Sequence, residues 1–350
     1  MIRITPVATI VAGLIGVATI ARAEPSIDFF GDVGYQVEHG PTTTNTFRAS
    51  SLDIFATATE GKFTFVGELI VEAFGSNDFS IDADRLEVSY KPRPWLRFRV
   101  GRIRTAFGFY GDAYQNGKFF FIPISWPSLY EGDGVDGIVP SHSIGAHVDA
   151  ALELGGQNGK LTVDAEVLNG RGATTSDVTA YADNNNSKAV NVRVRYVGED
   201  VLDGLVVGGN VYVDDLPVDA TGESARTVAM HELIVAGHVA YVAHHVHVVT
   251  EAMMFWHREH VTHADYETYA GFAEAAYELG DVTPYARFQY TRYDDPDPYF
   301  IGSGIPDINQ HLLSIGAKYA ASASVAFKLE GDADVVTHTR GVGVQAAFAF

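Results

Sequence analysis

The sequence predicts an all-β protein: a transmembrane, up-and-down antiparallel β-barrel of about 16 strands with a long third outer loop. Three observations carry that expectation. Apolar and polar residues alternate with a period of two in about 16 runs. The connections between runs are alternately tight and long. The chain closes on Val342, Val344, Ala346, Phe348 and Phe350, one apolar face of a last strand.

The alternation is explicit along the chain. From Phe63 to Glu72 the odd positions are apolar or glycine, and both Glu68 and Glu72 are even. Leu161–Val167 sets Thr162, Asp164 and Glu166 against Leu161, Val163, Ala165 and Val167. Val190–Tyr196 opposes Asn191, Arg193 and Arg195 to Val190, Val192, Val194 and Tyr196, and Leu313–Tyr319 repeats the pattern. A repeat of 180° per residue is a strand, not a helix. The runs begin near residues 26, 45, 62, 79, 95, 143, 159, 189, 204, 227, 244, 264, 282, 308, 323 and 341. Even-numbered runs end in tight turns such as Glu60-Gly61-Lys62 and Gly280-Asp281, whereas odd-numbered runs lead into longer polar segments including 111–142, 170–188 and 295–307. Short turns at one end and long loops at the other are the layout of an outer-membrane barrel. A soluble sandwich also alternates, but its apolar face points into a shared core, and no blade-length repeat marks a propeller.

Composition agrees and narrows the function. The 350 residues are 47% hydrophobic and 12% aromatic, with 35 glycines, no cysteine and a net charge of -20. Mean hydropathy is +0.03, too low for a bundle of apolar helices. Absence of cysteine excludes a disulfide scaffold, a thiolate metal site and a cysteine nucleophile. An excess of 44 acidic over 24 basic side chains argues against a nucleic-acid partner. Residues 1–23 have the features of a cleavable export signal: Arg3, an uncharged stretch from Ile4 to Ile20, and Ala21-Arg22-Ala23 before Glu24. Cleavage there leaves 24–350 as the barrel.

The last strand, with its terminal phenylalanine, resembles the closing strand of Gram-negative outer-membrane proteins. The stretch from Leu86 through Tyr90-Lys91-Pro92-Arg93-Pro94-Trp95 to Gly101-Arg102 and Phe107-Gly108 resembles the strand, turn, strand, GR, FG segment of the phosphate-selective-type porins. That resemblance spans roughly 47–110 and implies a passive channel, a homotrimer, outer-membrane lipid around it, and a third loop folded into the barrel. The lysine cluster of the selective porins is not evident.

Size supports the same function. Sixteen strands about 4.8 Å apart and tilted about 45° enclose a cylinder roughly 35 Å wide, too wide for one layer of side chains to fill. Charged side chains therefore face a wet lumen, Arg193 and Arg195 among them, because an arginine facing lipid at mid-membrane costs about 2–4 kcal/mol. The expected solutes are small hydrophilic molecules or ions. A 32-residue connection at 111–142 is long enough to be functional in its own right. It carries Asp112, Glu131, Asp133 and Asp136 against Lys118, and the preceding run carries Arg97, Arg99, Arg102 and Arg104. These residues, with Arg193 and Arg195, form the candidate constriction, an acidic loop opposed to a basic wall. The change of parity between Arg99 and Arg102 predicts a bulge at Gly101. The more ordinary alternative pairs these arginines with Glu87 or Asp84.

Other signals point elsewhere only weakly. Eight of the 13 histidines lie between His231 and His263, at spacings Zn²⁺ or Cu²⁺ can use, but solvated turn histidines are the commoner case. Asp294-Asp295-Pro296-Asp297 lacks the alternating ligands of a calcium loop. Ser141-His142 and His311 with Ser314 are the close pairings a serine hydrolase would need, without an orienting motif. No enzyme activity, metal or cofactor is expected. Tyr90, Trp95 and Tyr285 near short turns, and Phe107, Phe109 and Tyr110 at the outer end of the fifth run, are expected in the interfacial girdles. The competing functions are a non-conducting barrel whose loops bind a ligand or partner, and a secreted sandwich adhesin.

Overall fold

The computed structural model describes residues 24–350 apart from 41, 75–77, 115–116, 131–137, 156–158, 174–184, 219–227, 294–296 and 301–308. The expected export signal lies outside these residues. Sixteen strands form one closed antiparallel barrel in chain order, with β16 returning to β1. They are β1 (Glu24–His39), β2 (Thr43–Glu60), β3 (Phe63–Phe74), β4 (Asp78–Arg93), β5 (Leu96–Arg104), β6 (His142–Glu153), β7 (Lys160–Leu168) and β8 (Ala189–Val197). The second half comprises β9 (Leu205–Leu216), β10 (Met230–Ala243), β11 (Val246–Glu259), β12 (Asp265–Tyr277), β13 (Val282–Arg292), β14 (Gln310–Ala320), β15 (Val325–Asp334) and β16 (Arg340–Ala349).

The pattern is inside out, as a membrane demands. In β8, Val190, Val192 and Val194 are exposed while Asn191 and Arg193 are buried. In β15, Phe327 and Leu329 are exposed and Lys328 and Glu330 are buried. An apolar face turned outward from a closed sheet excludes the soluble sandwich, whose apolar face would be covered by a second sheet. Backbone bonds from Phe29 N to Phe350 O (2.6 Å) and from Phe350 N to Phe29 O (2.8 Å) carry the seam to the last residue.

The third loop departs from the expected boundaries in an informative way. It runs from 105 to 141, because the chain leaves β5 at Arg104 and bends inward at once. It contains two short helices, α1 (Tyr110–Ala113) and α2 (Gly117–Phe120). The buried apolar cluster lies between this loop and the inner face of β9–β12: Phe107, Tyr110, Phe121, Leu129 and Tyr130 meet Tyr212, Ile234, Met253, Phe255 and Phe272.

Candidate functional site

The loop turns into the lumen at Phe107-Gly108. Just before it, Ala106 N donates to both Glu166 carboxylate oxygens (3.1 and 3.0 Å), and its carbonyl accepts from Asn191 Nδ2 (3.1 Å). The Phe107 ring is buried, 5.5 Å from that of Tyr212. Gly108 has φ +54°, and a β-carbon there would overlap the Glu251 carboxylate and the Tyr130 hydroxyl. Only glycine suits both the torsion and the approach. Glu251, on β11, then accepts from Phe109 N (3.0 Å), Tyr110 N (2.6 Å) and the Tyr130 hydroxyl (2.6 Å). One buried carboxylate thus holds both arms of the loop.

Next to this anchor lies the basic wall. Asp112 in α1 forms ion pairs with Arg193 (2.7 Å) and Arg195 (2.6 Å), and Arg193 also binds Asp164 (3.0 Å) and the Gly108 carbonyl (3.0 Å). Burial pushes the Asp112 carboxyl up, but Arg193 and Arg195 outweigh it and hold it below the ordinary carboxylate value. Arg97 pairs with Asp149 (2.9 Å), and Arg99 hydrogen-bonds the ring of His147 (2.9 Å). Arg102 donates to the Asp84 carbonyl (3.1 Å); Arg104 pairs with the Asp84 carboxylate (3.2 Å) and lies 5.5 Å over the Trp126 ring of the loop. The Glu131, Asp133 and Asp136 positions and the Lys118 side chain lie outside what the structure describes. Among the described residues, acidic loop and basic wall meet at Asp112, in direct contact with Arg193 and Arg195.

The bulge is also elsewhere. Register passes through Gly101 without an extra residue on either side, and its φ of +127° carries the change of arginine direction. The inserted residue is Asp84, between the pairs Glu68–Arg85 and Leu69–Ala83. Phe107 and Tyr110 are lumen core with Phe109 packed against them, and Tyr285 is buried with its hydroxyl on Glu330; these do not belong to the girdles. Tyr90 and Trp95 are exposed at the short-turn end, as expected.

The far arm of the loop is fastened to the opposite wall. Lys318 donates to the Phe119 carbonyl (2.5 Å) and Lys328 to that of Pro123 (2.8 Å). Arg287 reaches the Ser125 carbonyl (2.9 Å), Ile124 N donates to Glu330 (3.1 Å), and Ser128 N donates to Gln289 (2.6 Å). The inward cations of β13–β15 thus bind loop carbonyls.

Beside the loop lies a cavity of about 630 Å³ between Ile124, Ser125, Ser128 and Ile138 on its side and β1, β2 and β13–β16 on the other. Strand β16 makes the space. Its inward positions 341 and 343 are glycine, while Val342 and Val344 face out. A β-carbon on Gly341 or Gly343 would meet nothing nearer than 3.7 or 3.4 Å respectively. Across three strands, Gly341 pairs with Asp332 of β15 and with Glu38 of β1, so a glycine sits between two carboxylates. The cavity carries Asp32, Glu38, Glu330, Asp332 and Asp334 against Arg48 and Arg340, and none of the arginines on β5 or β8 lines it.

The family model for Gram-negative porins matches residues 8–335. The chain belongs to the Gram-negative porin family. As a porin it is a passive channel of the outer membrane. Solved structures share the fold at low identity. The anion-selective porin of Comamonas acidovorans superposes with a TM-score of 0.63 at 13% identity, covering 93% of this chain and 100% of that one. The trimeric form of OmpT from Vibrio cholerae gives 0.62 at 13% identity over 93% and 99% of the two chains. DcaP, an outer-membrane channel of Acinetobacter baumannii, gives 0.60 at 13% identity over 94% and 97%. No curated protein sequence matches significantly.

In this porin the residues that sequence inspection missed are Glu251, Asp32 and the carboxylates of β15. A signal for β15 exists: Lys328, Glu330, Asp332 and Asp334 recur at every second position. Glu251 has only its inward parity between Val249 and Met253 to mark it. Four of the histidines between His231 and His263 pair with carboxylates at strand ends: His245 (3.2 Å) and His247 (2.8 Å) with Glu278, and His231 (3.1 Å) and His260 (3.2 Å) with Asp215. His257 is buried between Glu232 (2.9 Å) and Asp297 (2.7 Å), where it ties the seventh loop to the wall. Ser141 Oγ lies 3.3 Å from His142, whose other ring nitrogen is 3.0 Å from the Asp84 carboxylate that Arg104 also holds. His311 stacks on Tyr290.

Proposed function

We propose that this porin passes small hydrophilic solutes and ions through the cavity beside β16, and that the basic wall serves to fix the third loop. The observation that carries this reading is the distribution of contacts. Arg193 and Arg195 are engaged with Asp112, and Arg97, Arg99, Arg102 and Arg104 with wall partners, whereas the open volume lies by Gly341 and Gly343. The mechanism is size exclusion at the loop combined with the field of the lining charges, without a catalytic step. Export by residues 1–23 and assembly as a homotrimer in outer-membrane lipid belong to the same proposal; the trimeric form of OmpT, a protein of the same fold, supports it.

The test is planar-bilayer conductance of the detergent-purified, heat-modifiable protein, with Gly343→Phe beside it. The wild type should give stepwise conductance. Gly343→Phe should fold equally well and conduct markedly less, because its ring projects into the cavity next to Ile124. A folded but silent wild type would favour a barrel whose loops bind a ligand. Equal conductance of the two proteins would place the passage away from β16.

A further inference from the structure

We propose that the passage is cation-selective, and that the step formed by Glu38, Gly341 and Asp332, with Asp32 and Gln345 beyond it, sets that preference. The inference rests on the porin reading above and adds the class of solute. It starts from the register. Glu38 and Asp332 flank Gly341 on adjacent strands, so with strands about 4.8 Å apart their backbones stand about 10 Å from each other across an inward position that has no side chain. A hydrated ion crossing at that level passes both carboxylates. Further in, Gln345 is 5% exposed and lines the cavity; its Nε2 donates to Asp32 (2.9 Å), while its Oε1 is buried with no hydrogen-bond partner among the described residues. Gln345 thus leaves an acceptor and not a donor unpaired beside the cavity, which suits a cation and not an anion.

Positive charge does not offset this. Among the described residues the lining carries seven charged groups, of which two are guanidiniums, Arg48 and Arg340. Lys318, Lys328 and Arg287 donate to carbonyls of the third loop. On the opposite wall Arg193 and Arg195 share Asp112 and Asp164. Placing the loop on the basic wall thus removes that wall from the route and leaves the acidic one.

The experiment is the reversal potential of the wild-type channel under a tenfold KCl gradient, compared with a Glu38→Gln/Asp332→Asn double variant and with Gly341→Lys. A unit charge about 6 Å from a permeant ion in water changes its occupancy about threefold, and the effect shrinks as salt rises. The wild type should therefore favour K⁺ over Cl⁻. The double variant should lose at least threefold of that ratio at low salt, and Gly341→Lys should lower it further or invert it. Gly341→Lys keeps the test open if the double variant fails to fold, since space at Gly341 admits a side chain. Conducting wild-type channels that favour Cl⁻, or variants that leave the ratio unchanged, would overturn the inference while sparing the porin reading. A wild type without conductance would overturn both.

Discussion

Glu251→Ala tests the attachment of the third loop most directly. In the native protein this carboxylate accepts three hydrogen bonds, from Phe109 N at 3.0 Å and from Tyr110 N and the Tyr130 hydroxyl at 2.6 Å each. Removing the acceptor leaves three donors without a partner, and each buried donor so stranded costs about 1–3 kcal/mol. At the low end, about 1 kcal/mol for each of the three, the loss is about 3 kcal/mol. That moves the balance between docked and undocked loop about 100-fold, at 1.36 kcal/mol per decade. The strands keep their pairing, so barrel stability measured by heat-modifiability should barely change. Single-channel records should show larger and noisier openings, and the loop should become sensitive to protease added on the outer side. Conductance, noise and protease resistance all equal to wild type would refute the argument that Glu251 anchors the loop.

Other perturbations give graded expectations. Tyr130→Phe removes one of those three bonds, so its conductance noise should lie between wild type and Glu251→Ala. Asp112 is held below the ordinary carboxylate value by Arg193 and Arg195, so its pairing is fully present above about pH 4 and is lost as pH falls through the lowered value. Recordings between pH 7 and about 4 should then show no loop opening from this residue, and Asp112→Asn should abolish the further change seen in stronger acid. Gly101→Val places a β-branched residue at φ +127° against the Leu86 carbonyl; the yield of heat-modifiable barrel should fall, whereas the same change at a lipid-facing alanine should not lower it.

Much of the barrel is legible in the sequence because a membrane-spanning strand must alternate locally. Val190–Tyr196 declares its lumen face without reference to any other strand, and Arg193 and Arg195 are indeed turned inward. The Phe107-Gly108 motif likewise marks the turn into the lumen, since both the torsion and the space around Gly108 demand glycine. What parity cannot convey is which inward residues meet. Parity allows Asp112 either to face Arg193 across water or to touch it, and only the packing of Phe107 and Tyr110 on β9–β12 brings it into contact. The same limit misplaced the aromatic residues: girdle and core both call for large rings. The inserted residue at Asp84 shows no sign in its own segment, because a bulge is a relation between two strands. The acidic side of the cavity is harder still, as Glu38 and Asp332 become neighbours only through closure of the barrel.

That closure has a consequence for how the molecule is made. Fifteen of the strand pairings join neighbours in the chain, and one, β16 with β1, joins its two extremes. The bond between Asp32 and Gln345 spans 313 positions. On a logarithmic loop-closure scale, bringing such ends together costs about 5 kcal/mol before any bond of the seam forms. Until then the sheet has two raw edges, and neither can be left unpaired in hydrocarbon. Growth by hairpins is thus inexpensive, and birth into the bilayer turns on a single late event. An assembly catalyst that holds β1 in place until β16 arrives would act on the one step that the chain cannot make easily by itself.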